Sequence, residues 1–155
     1  MLRLSLFFLI VLQFISSSSV LCNEQEMEFI KIGWANEING YDDYEPNESS
    51  EFSHGQRAYA YMEVTGYRVE ATDGKYLTDL AVDVVLRGSF GIRLFSHTDL
   101  IDYRELHSLP PATLWFYIWV DIPRFAPRTT YQAEVIIRDR ISGQKLQHQE
   151  SIRIR

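Results

Sequence analysis

The sequence has 155 residues, of which 46% are apolar, 14% aromatic and 23% charged, and it contains one cysteine. This length corresponds to one domain, and the aromatic content is too high for a disordered chain. The pI of about 5.2 argues against a nucleic-acid binder, which usually carries a basic face, so we expect no nucleic-acid partner. A single cysteine excludes an intrachain disulfide and any zinc site built from several cysteines.

The first 22 residues have the pattern of a secretory signal peptide. Arg3 supplies a basic start, an apolar run follows, and residues 16–19 are serines of the small size found near cleavage sites. The apolar run of about 12 residues is too short for a membrane-spanning helix, which needs roughly 20. We therefore predict a secreted or periplasmic protein with no transmembrane segment after cleavage. The alternative is a lipid anchor on Cys22, although Leu21 is not the small residue that such a site requires.

Residues 23–51 carry most of the net charge, with nine acidic side chains against one basic side chain, Lys31. Within this segment, residues 29–34 predict a short strand, and the polar residues 36–53 predict a long loop. We expect this part of the chain to face a partner. The sequence therefore divides into a signal peptide (1–22), an acidic N-terminal strand and loop (23–51) and a β-sandwich domain (52–155).

The acidic loop contains two candidate sites. Asp42, Asp43 and Glu45 place three carboxylates close together, and calcium takes about six to eight oxygen ligands from loops of this kind. Their spacing differs from that of known calcium loops, so a solvated acidic loop is the alternative. Asn47 begins an N-glycosylation sequon, which applies only if the source is eukaryotic. No other cofactor is indicated.

From residue 52 onward, apolar and polar residues alternate with period two, which is typical of half-buried strands. Residues 97–107 form the one stretch with a helical pattern, because Ser96 and Asp99 have capping-box spacing and Leu100, Ile101 and Leu106 make an apolar stripe. We predict an all-β, antiparallel sandwich of about seven to eight strands with one short helix. The clearest strands are 58–64, 80–86, 114–122, 131–139 and 147–155, the last two forming a hairpin.

The most apolar strand, 114–122, presents Trp115, Tyr117 and Trp119 on one face and Leu114, Phe116, Ile118 and Val120 on the other. Packing favours burial of the aromatic face between the sheets, where large rings dominate core contacts. The alternative is an exposed row of rings, which can stack on sugars and would mark a binding surface. Trp115, Tyr117 and Trp119 are therefore the candidate ligand-binding residues.

Motifs of catalysis are absent from the sequence. It has no GxSxG, HExxH or phosphate-binding glycine loop, and no cofactor-binding fingerprint. Scattered carboxylates such as Glu63 and Asp83 form no recognisable catalytic pair. We therefore expect a non-catalytic binding or interaction module with a protein or glycan partner at the cell envelope or outside the cell. The alternatives are a carbohydrate-binding module, a small hydrolase and a lipocalin-like ligand carrier.

Several short motifs occur along the second part of the sequence: Phe52-Ser-His-Gly55-Gln56, Tyr61-Met-Glu63-Val64-Thr-Gly-Tyr67, Ile122-Pro123, and Tyr131-Gln-Ala-Glu-Val135 with Asp139-Arg-Ile-Ser-Gly143. Together they resemble the motifs of exported bacterial immunoglobulin-like β-sandwich domains that have no assigned activity. The resemblance covers about residues 52–154. It implies an immunoglobulin-like sandwich and an exported location, and it brings no catalytic residues.

Overall fold

The computed structural model describes residues 25–155, which form ten β-strands and one short 3-10 turn, Ser89–Gly91. The predicted signal peptide, with Cys22, lies outside the described residues. The strands are β1 (Glu28–Gly40), β2 (Asp43–Pro46), β3 (Glu51–Phe52), β4 (Arg57–Thr65), β5 (Glu70–Thr72), β6 (Lys75–Arg87), β7 (Arg93–His107), β8 (Leu114–Asp121), β9 (Thr130–Asp139) and β10 (Lys145–Ile154).

These strands build two sheets with a shared apolar core. Sheet A has the order β2-β1-β4-β8 and is antiparallel throughout. Sheet B has the order β3-β10-β9-β6-β5, with β7 along the other edge of β6, and only the short pair of β3 with β10 is parallel. The predicted all-β sandwich is confirmed. The strand number exceeds the expected one because β2, β3 and β5 are only two to four residues long.

Period-two alternation places the core between the sheets, as the sequence predicts. Met62 and Val64 of β4 and Leu80 and Val82 of β6 are fully buried and belong to this core. Tyr61, which alternates with them on β4, is also buried, although it lies on the outer face of its sheet. Each such side chain removes apolar surface from water, which stabilises the fold by about 1.5–3 kcal/mol. The core joins both sheets into one cluster.

The helix predicted at 97–107 is wrong, because these residues belong to β7 and pair with β6. The register explains the misleading pattern. Between the pairs Val82↔Ile101 and Val84↔His97, one residue of β6 faces three residues of β7, which forms a bulge. The bulge shifts the alternation and so imitates helical spacing, and pairing with the long edge of β6 outweighs the local capping signal.

The acidic segment is part of the sandwich. The loop predicted at 36–53 contains the end of β1, all of β2 and β3, and the turns between them. β1 lies inside sheet A, between β2 and β4, so the residues that carry the negative charge also supply backbone hydrogen bonds to the sheet. The sequence pattern did not reveal these strands, because their charged side chains obscure the alternation of apolar and polar residues. Most of these side chains lie on the solvated outer face or at the edge strand.

Asn47 organises the turn between β2 and β3. Its side chain is 9% exposed, and its Nδ2 donates to Asn36 Oδ1 at 3.1 Å and to the Glu51 carbonyl at 2.9 Å. Ser49 Oγ donates to Asn47 Oδ1 at 2.8 Å, and the Asn47 amide donates to the Trp34 carbonyl at 2.8 Å. The Nδ2 atom to which a glycan would be attached is therefore buried and bonded in the folded chain.

Replacing Asn47 by alanine is expected to lower the free energy of unfolding by about 2 kcal/mol, because two acceptors and one donor lose their partner in a buried turn. Urea unfolding followed by tryptophan fluorescence measures this change. Asn39→Ala is the matched control, since Asn39 is an exposed residue of β1, and its effect should stay within about 0.5 kcal/mol. Equal stability of the two variants would show that the Asn47 bonds contribute nothing.

Asp139 organises the hairpin between β9 and β10. Its side chain is 1% exposed and accepts hydrogen bonds from the amides of Arg68, Ile141 and Ser142, and from Ser142 Oγ. Gly143 closes the turn at φ 79°, a backbone angle that favours glycine. The Asp-x-x-Ser-Gly pattern noted in the sequence thus has a physical basis, since one carboxylate ties the hairpin to the segment after β4.

Candidate functional site

The outer face of sheet A carries the candidate ligand-binding residues. Trp119 is 53% exposed and Tyr117 is 40% exposed, while Trp115 is half-buried. Phe116 and Ile118 of the same strand fill the core instead. The expectation that packing favours burial of the aromatic face is therefore wrong for β8, because the aliphatic and phenylalanine face already occupies the space between the sheets.

Five rings form a continuous aromatic row across this face. The centroid of Tyr44 lies 4.2 Å from that of Tyr61, which lies 5.9 Å from Trp115. Trp115 lies 5.9 Å from Tyr117, and Tyr117 lies 6.0 Å from Trp119. Successive rings are inclined by only 13° to 30°, so neighbouring planes are nearly parallel.

Strand register accounts for the row. Side chains at alternate positions of a strand share a face, which aligns Trp115, Tyr117 and Trp119. In the adjacent strand β4, Tyr61 pairs directly with Tyr117, so Tyr61 lies on the same face. β2, at the far edge of the sheet, adds Tyr44. The row is therefore fixed by the backbone of three strands rather than by a loop.

An ion pair borders the exposed end of the aromatic row. The Arg57 guanidinium carbon lies 5.4 Å from the ring centroid of Trp119, within cation–π range. Asp121 holds this guanidinium in a bidentate pair, with Nε–Oδ1 at 2.7 Å and Nη2–Oδ2 at 3.2 Å. The Arg57 hydrogen bond lowers the pKa of Asp121 below its ordinary value, so the carboxylate stays ionised.

A buried polar group lies near the Tyr44 end of the row. Tyr61 Oη donates to Glu63 Oε1 at 2.6 Å and accepts from the Asp42 amide at 3.0 Å. Burial, reinforced by the Glu63 contact, raises the pKa of Tyr61 to about 12. Lys31 Nζ lies 3.4 Å from Glu63 Oε1 and also pairs with Asp42. Tyr61 is thus a neutral member of the row whose hydroxyl is held in place by Glu63 and the Asp42 amide.

The three carboxylates proposed for calcium do not form a cluster. Asp42 pairs with Lys31, and Glu45 Oε1 accepts a hydrogen bond from Asn36 Nδ2 at 3.4 Å. Asp43 is an exposed residue of β2. Among residues 25–155, the structure contains no group of three or more His, Cys, Asp or Glu side chains arranged to hold a metal ion.

A second candidate site, which the sequence did not reveal, is an apolar cavity of about 530 Å³. We call it the edge cleft, because it lies between the sheets beside the edge strands β7 and β8 and under residues 122–127. Asp121 is the only charged residue in its lining. Its residues come from many strands and from both sheets, so only the order of strands in the sheets brings them together.

No protein-family model matches the chain, and neither does any curated protein. Solved structures are similar to it in fold. A Niemann-Pick type C2 protein from the Japanese carpenter ant has 8% identity and a TM-score of 0.54, covering 86% of this chain and 96% of that one. The C-terminal domain of wzt has 8% identity and a TM-score of 0.52, covering 83% and 73%.

A third solved structure, an immunoglobulin-like protein from Pseudomonas aeruginosa, has 12% identity and a TM-score of 0.43, covering 85% of this chain and 98% of that one. The chain is an all-β sandwich of two sheets. At these identities the likenesses concern the fold alone. In the part of the chain that the structure describes, no helix has the length and apolarity needed to cross a bilayer.

Proposed function

We propose that this chain is an exported, non-catalytic binding module that binds glycans on the aromatic row of sheet A. The observation that carries the proposal is the set of nearly parallel rings on the outer face, of which Tyr117 and Trp119 are 40% and 53% exposed. Large apolar side chains in a contiguous exposed patch mark a binding surface in soluble proteins.

The chemistry of sugars matches this surface. The C–H face of a pyranose ring is apolar, whereas its rim carries hydroxyl groups. Aromatic rings offer apolar area to the C–H face, and nearby charged groups offer hydrogen bonds to the hydroxyl groups. Arg57 and Asp121 stand beside Trp119 with their geometry already fixed by their mutual contact. Ordering these groups therefore costs little when a sugar binds.

The rigidity of the row favours an extended ligand. Its rings project from three strands of the same hydrogen-bonded sheet, β2, β4 and β8, and Tyr61 is 1% exposed, so it supports its neighbours from below. Along β8, the successive rings of Trp115, Tyr117 and Trp119 lie 5.9 and 6.0 Å apart and can contact successive sugar units. The predicted signal peptide supports a location at the cell envelope or outside the cell, where polysaccharides are abundant.

Affinity electrophoresis against a panel of polysaccharides (β-glucan, xylan, chitosan and peptidoglycan fragments) tests the proposal. At least one should retard the wild-type chain. Tyr117→Ala should weaken that retardation about tenfold, since a stacking contact is worth about 0.5–1.5 kcal/mol beyond its buried area. Tyr117 suits the test better than Trp119, because Trp119 also borders the edge cleft.

Phe90→Ala is the control, because Phe90 is fully exposed in the 3-10 turn between β6 and β7 and lies outside the row. Its retardation should equal that of the wild type, and both variants should melt at the wild-type temperature. The proposal is wrong if no polysaccharide retards the wild type, or if Tyr117→Ala and Phe90→Ala behave alike. Retention by a proline-rich peptide instead would assign the row to peptide binding.

A further inference from the structure

We infer that the edge cleft is a second ligand site, which binds the hydrocarbon chain of a monomeric anionic amphiphile, such as a fatty acid. The cleft volume of about 530 Å³ lies in the range of small-molecule sites, about 300–1,000 Å³. Sites of that kind are mostly apolar with a few placed polar groups, and the cleft has this composition. This inference is independent of the aromatic row.

Small side chains create the space. Ala58 of β4 and Ala133 of β9 are inner-face residues of opposite sheets, and both line the cleft. Facing sheets are about 10 Å apart, a gap that larger side chains fill elsewhere in the core. At this end of the sandwich two methyl groups stand where Met62 and Ile137 stand deeper inside. The cavity therefore follows directly from residue size.

Apolar side chains at the mouth of the cleft are exposed to water. Phe125 is 89% exposed, Leu94 is 55% exposed and Phe95 is 48% exposed, and all three line the cleft. Leaving such side chains in water is unfavourable compared with burying them. A hydrocarbon chain in the cleft would cover part of this surface, which supplies the driving force for binding.

The charges around the mouth select an anion. Three arginines adjoin lining residues in sequence: Arg124 lies between Pro123 and Phe125, Arg128 follows Pro127, and Arg93 precedes Leu94 on β7. All three are exposed, and within residues 25–155 none of them forms a salt bridge. Asp121, the one acidic lining residue, is already paired with Arg57. The charges without a salt-bridge partner that adjoin the lining residues in sequence are therefore positive, which complements a carboxylate headgroup.

Trp34 provides a reporter inside the cleft. It is 8% exposed, it lines the cavity, and its indole N–H finds no hydrogen-bond acceptor among the residues that the structure describes. The chain has three tryptophans, and Trp115 lies on the opposite face of sheet A, outside the cleft. The indole N–H signals of Trp34 and Trp115 therefore distinguish binding in the cleft from binding on the row.

The first test is isothermal titration calorimetry of the chain comprising residues 25–155 with dodecanoate. The dodecanoate is kept below the concentration at which it forms micelles. We expect one bound dodecanoate per chain. Decanoate, which is two methylenes shorter, should bind about fifteenfold more weakly, because each buried methylene contributes about 0.8 kcal/mol. Dodecyltrimethylammonium, of equal chain length and opposite charge, should bind at least about tenfold more weakly than dodecanoate.

Variants locate the site. Ala133→Leu fills the cleft and should reduce dodecanoate affinity at least about tenfold, whereas Ala71→Leu, the same change on the exposed strand β5, should leave it unchanged. The Trp34 indole signal should shift on binding and that of Trp115 should not. Tyr117→Ala should also leave dodecanoate binding unchanged, so failure of the glycan proposal and failure of this inference are separable.

Three results would overturn the inference: no heat of binding with the wild type, equal affinity for dodecanoate and dodecyltrimethylammonium, or an Ala133→Leu variant that melts normally and binds as well as the wild type. If Ala133→Leu does not fold, the chain-length series and the Trp34 signal still decide the matter. Association with phosphatidylglycerol vesicles without binding of monomeric dodecanoate would show a membrane-docking surface instead and would likewise overturn it.

Discussion

Replacing Asp139 by alanine is expected to lower the free energy of unfolding by about 3 to 4 kcal/mol. The carboxylate is 1% exposed and accepts four hydrogen bonds, of which the shortest, from the Arg68 amide, is 2.6 Å. Hydrogen bonds to charged groups contribute about 1.5–3 kcal/mol each, and removal of the acceptor leaves three backbone amides without a partner. The loss extends beyond the hairpin, because Arg68 belongs to the connection between β4 and β5.

Urea denaturation of the wild type, Asp139→Ala and Asp139→Asn measures the effect. The asparagine variant keeps one side-chain oxygen and should lose about half as much stability as the alanine variant. Asp43→Ala, at an exposed position of β2, is the control and should change the stability by less than about 0.5 kcal/mol. A loss of under 1 kcal/mol in Asp139→Ala would contradict this account of the hairpin.

Replacing Asp83 by asparagine is expected to cost about 2 kcal/mol at neutral pH, since it removes one charge from a half-buried pair. Arg138 Nε and Nη2 each lie 2.8 Å from an Asp83 oxygen, and the side chains of Asp83 and Arg138 are 14% and 26% exposed. Arg138 also donates to Asp99 at 2.6 Å, so the pair joins the three strands β6, β7 and β9 on the outer face of sheet B.

The effect of Asp83→Asn should depend on pH with a defined sign. The Arg138 hydrogen bond, aided by the Asp99 amide and opposed by burial, holds the pKa of Asp83 below its ordinary value. The unfolded chain therefore binds the proton first, and the stabilisation is complete above the unfolded pKa of about 3.9. It is lost as the pH falls through the folded pKa. The difference between wild type and variant should thus be largest near pH 7 and shrink below pH of about 4.

Unfolding curves at pH 7 and at pH 3 measure both quantities. Asp73→Asn is the control, because Asp73 is exposed in the turn between β5 and β6 at φ 50°, where asparagine is equally tolerated. Its stability should follow the wild type at both pH values. A gap between wild type and Asp83→Asn that stays constant with pH would show that Asp83 acts through packing rather than through charge.

Alternation predicted the strands that bury one face and failed where the register is interrupted. The segments 58–64, 80–86 and 131–139 were recognised because inner and outer residues differ in polarity, and all lie within strands β4, β6 and β9. β7 was mistaken for a helix because its bulge opposite Asp83 breaks the period of two. β2 and β3 escaped notice because each is shorter than the window that a pattern requires.

The candidate sites show a second limit of the sequence. Alternation identified Trp115, Tyr117 and Trp119 as one face of a strand, but both faces of β8 are apolar, so the pattern could not say which one lies inside. Core packing determines which face lies inside, since Phe116 and Ile118 belong to the core cluster that joins the two sheets. The edge cleft was beyond reach for a different reason, because its walls meet only through contacts between strands distant in sequence.

The position of β7 and β8 at the margins of their own sheets has a kinetic consequence. β7 pairs only with β6, and β8 only with β4, so in the described chain no ladder hydrogen bond joins the two strands across the gap that separates them. The gap between β7 and β8 can widen by rotation of side chains while all backbone hydrogen bonds of both sheets stay intact. Entry of a ligand through that gap therefore does not require global unfolding. The amide protons of β4 and β6 should exchange with solvent equally slowly with and without a bound ligand.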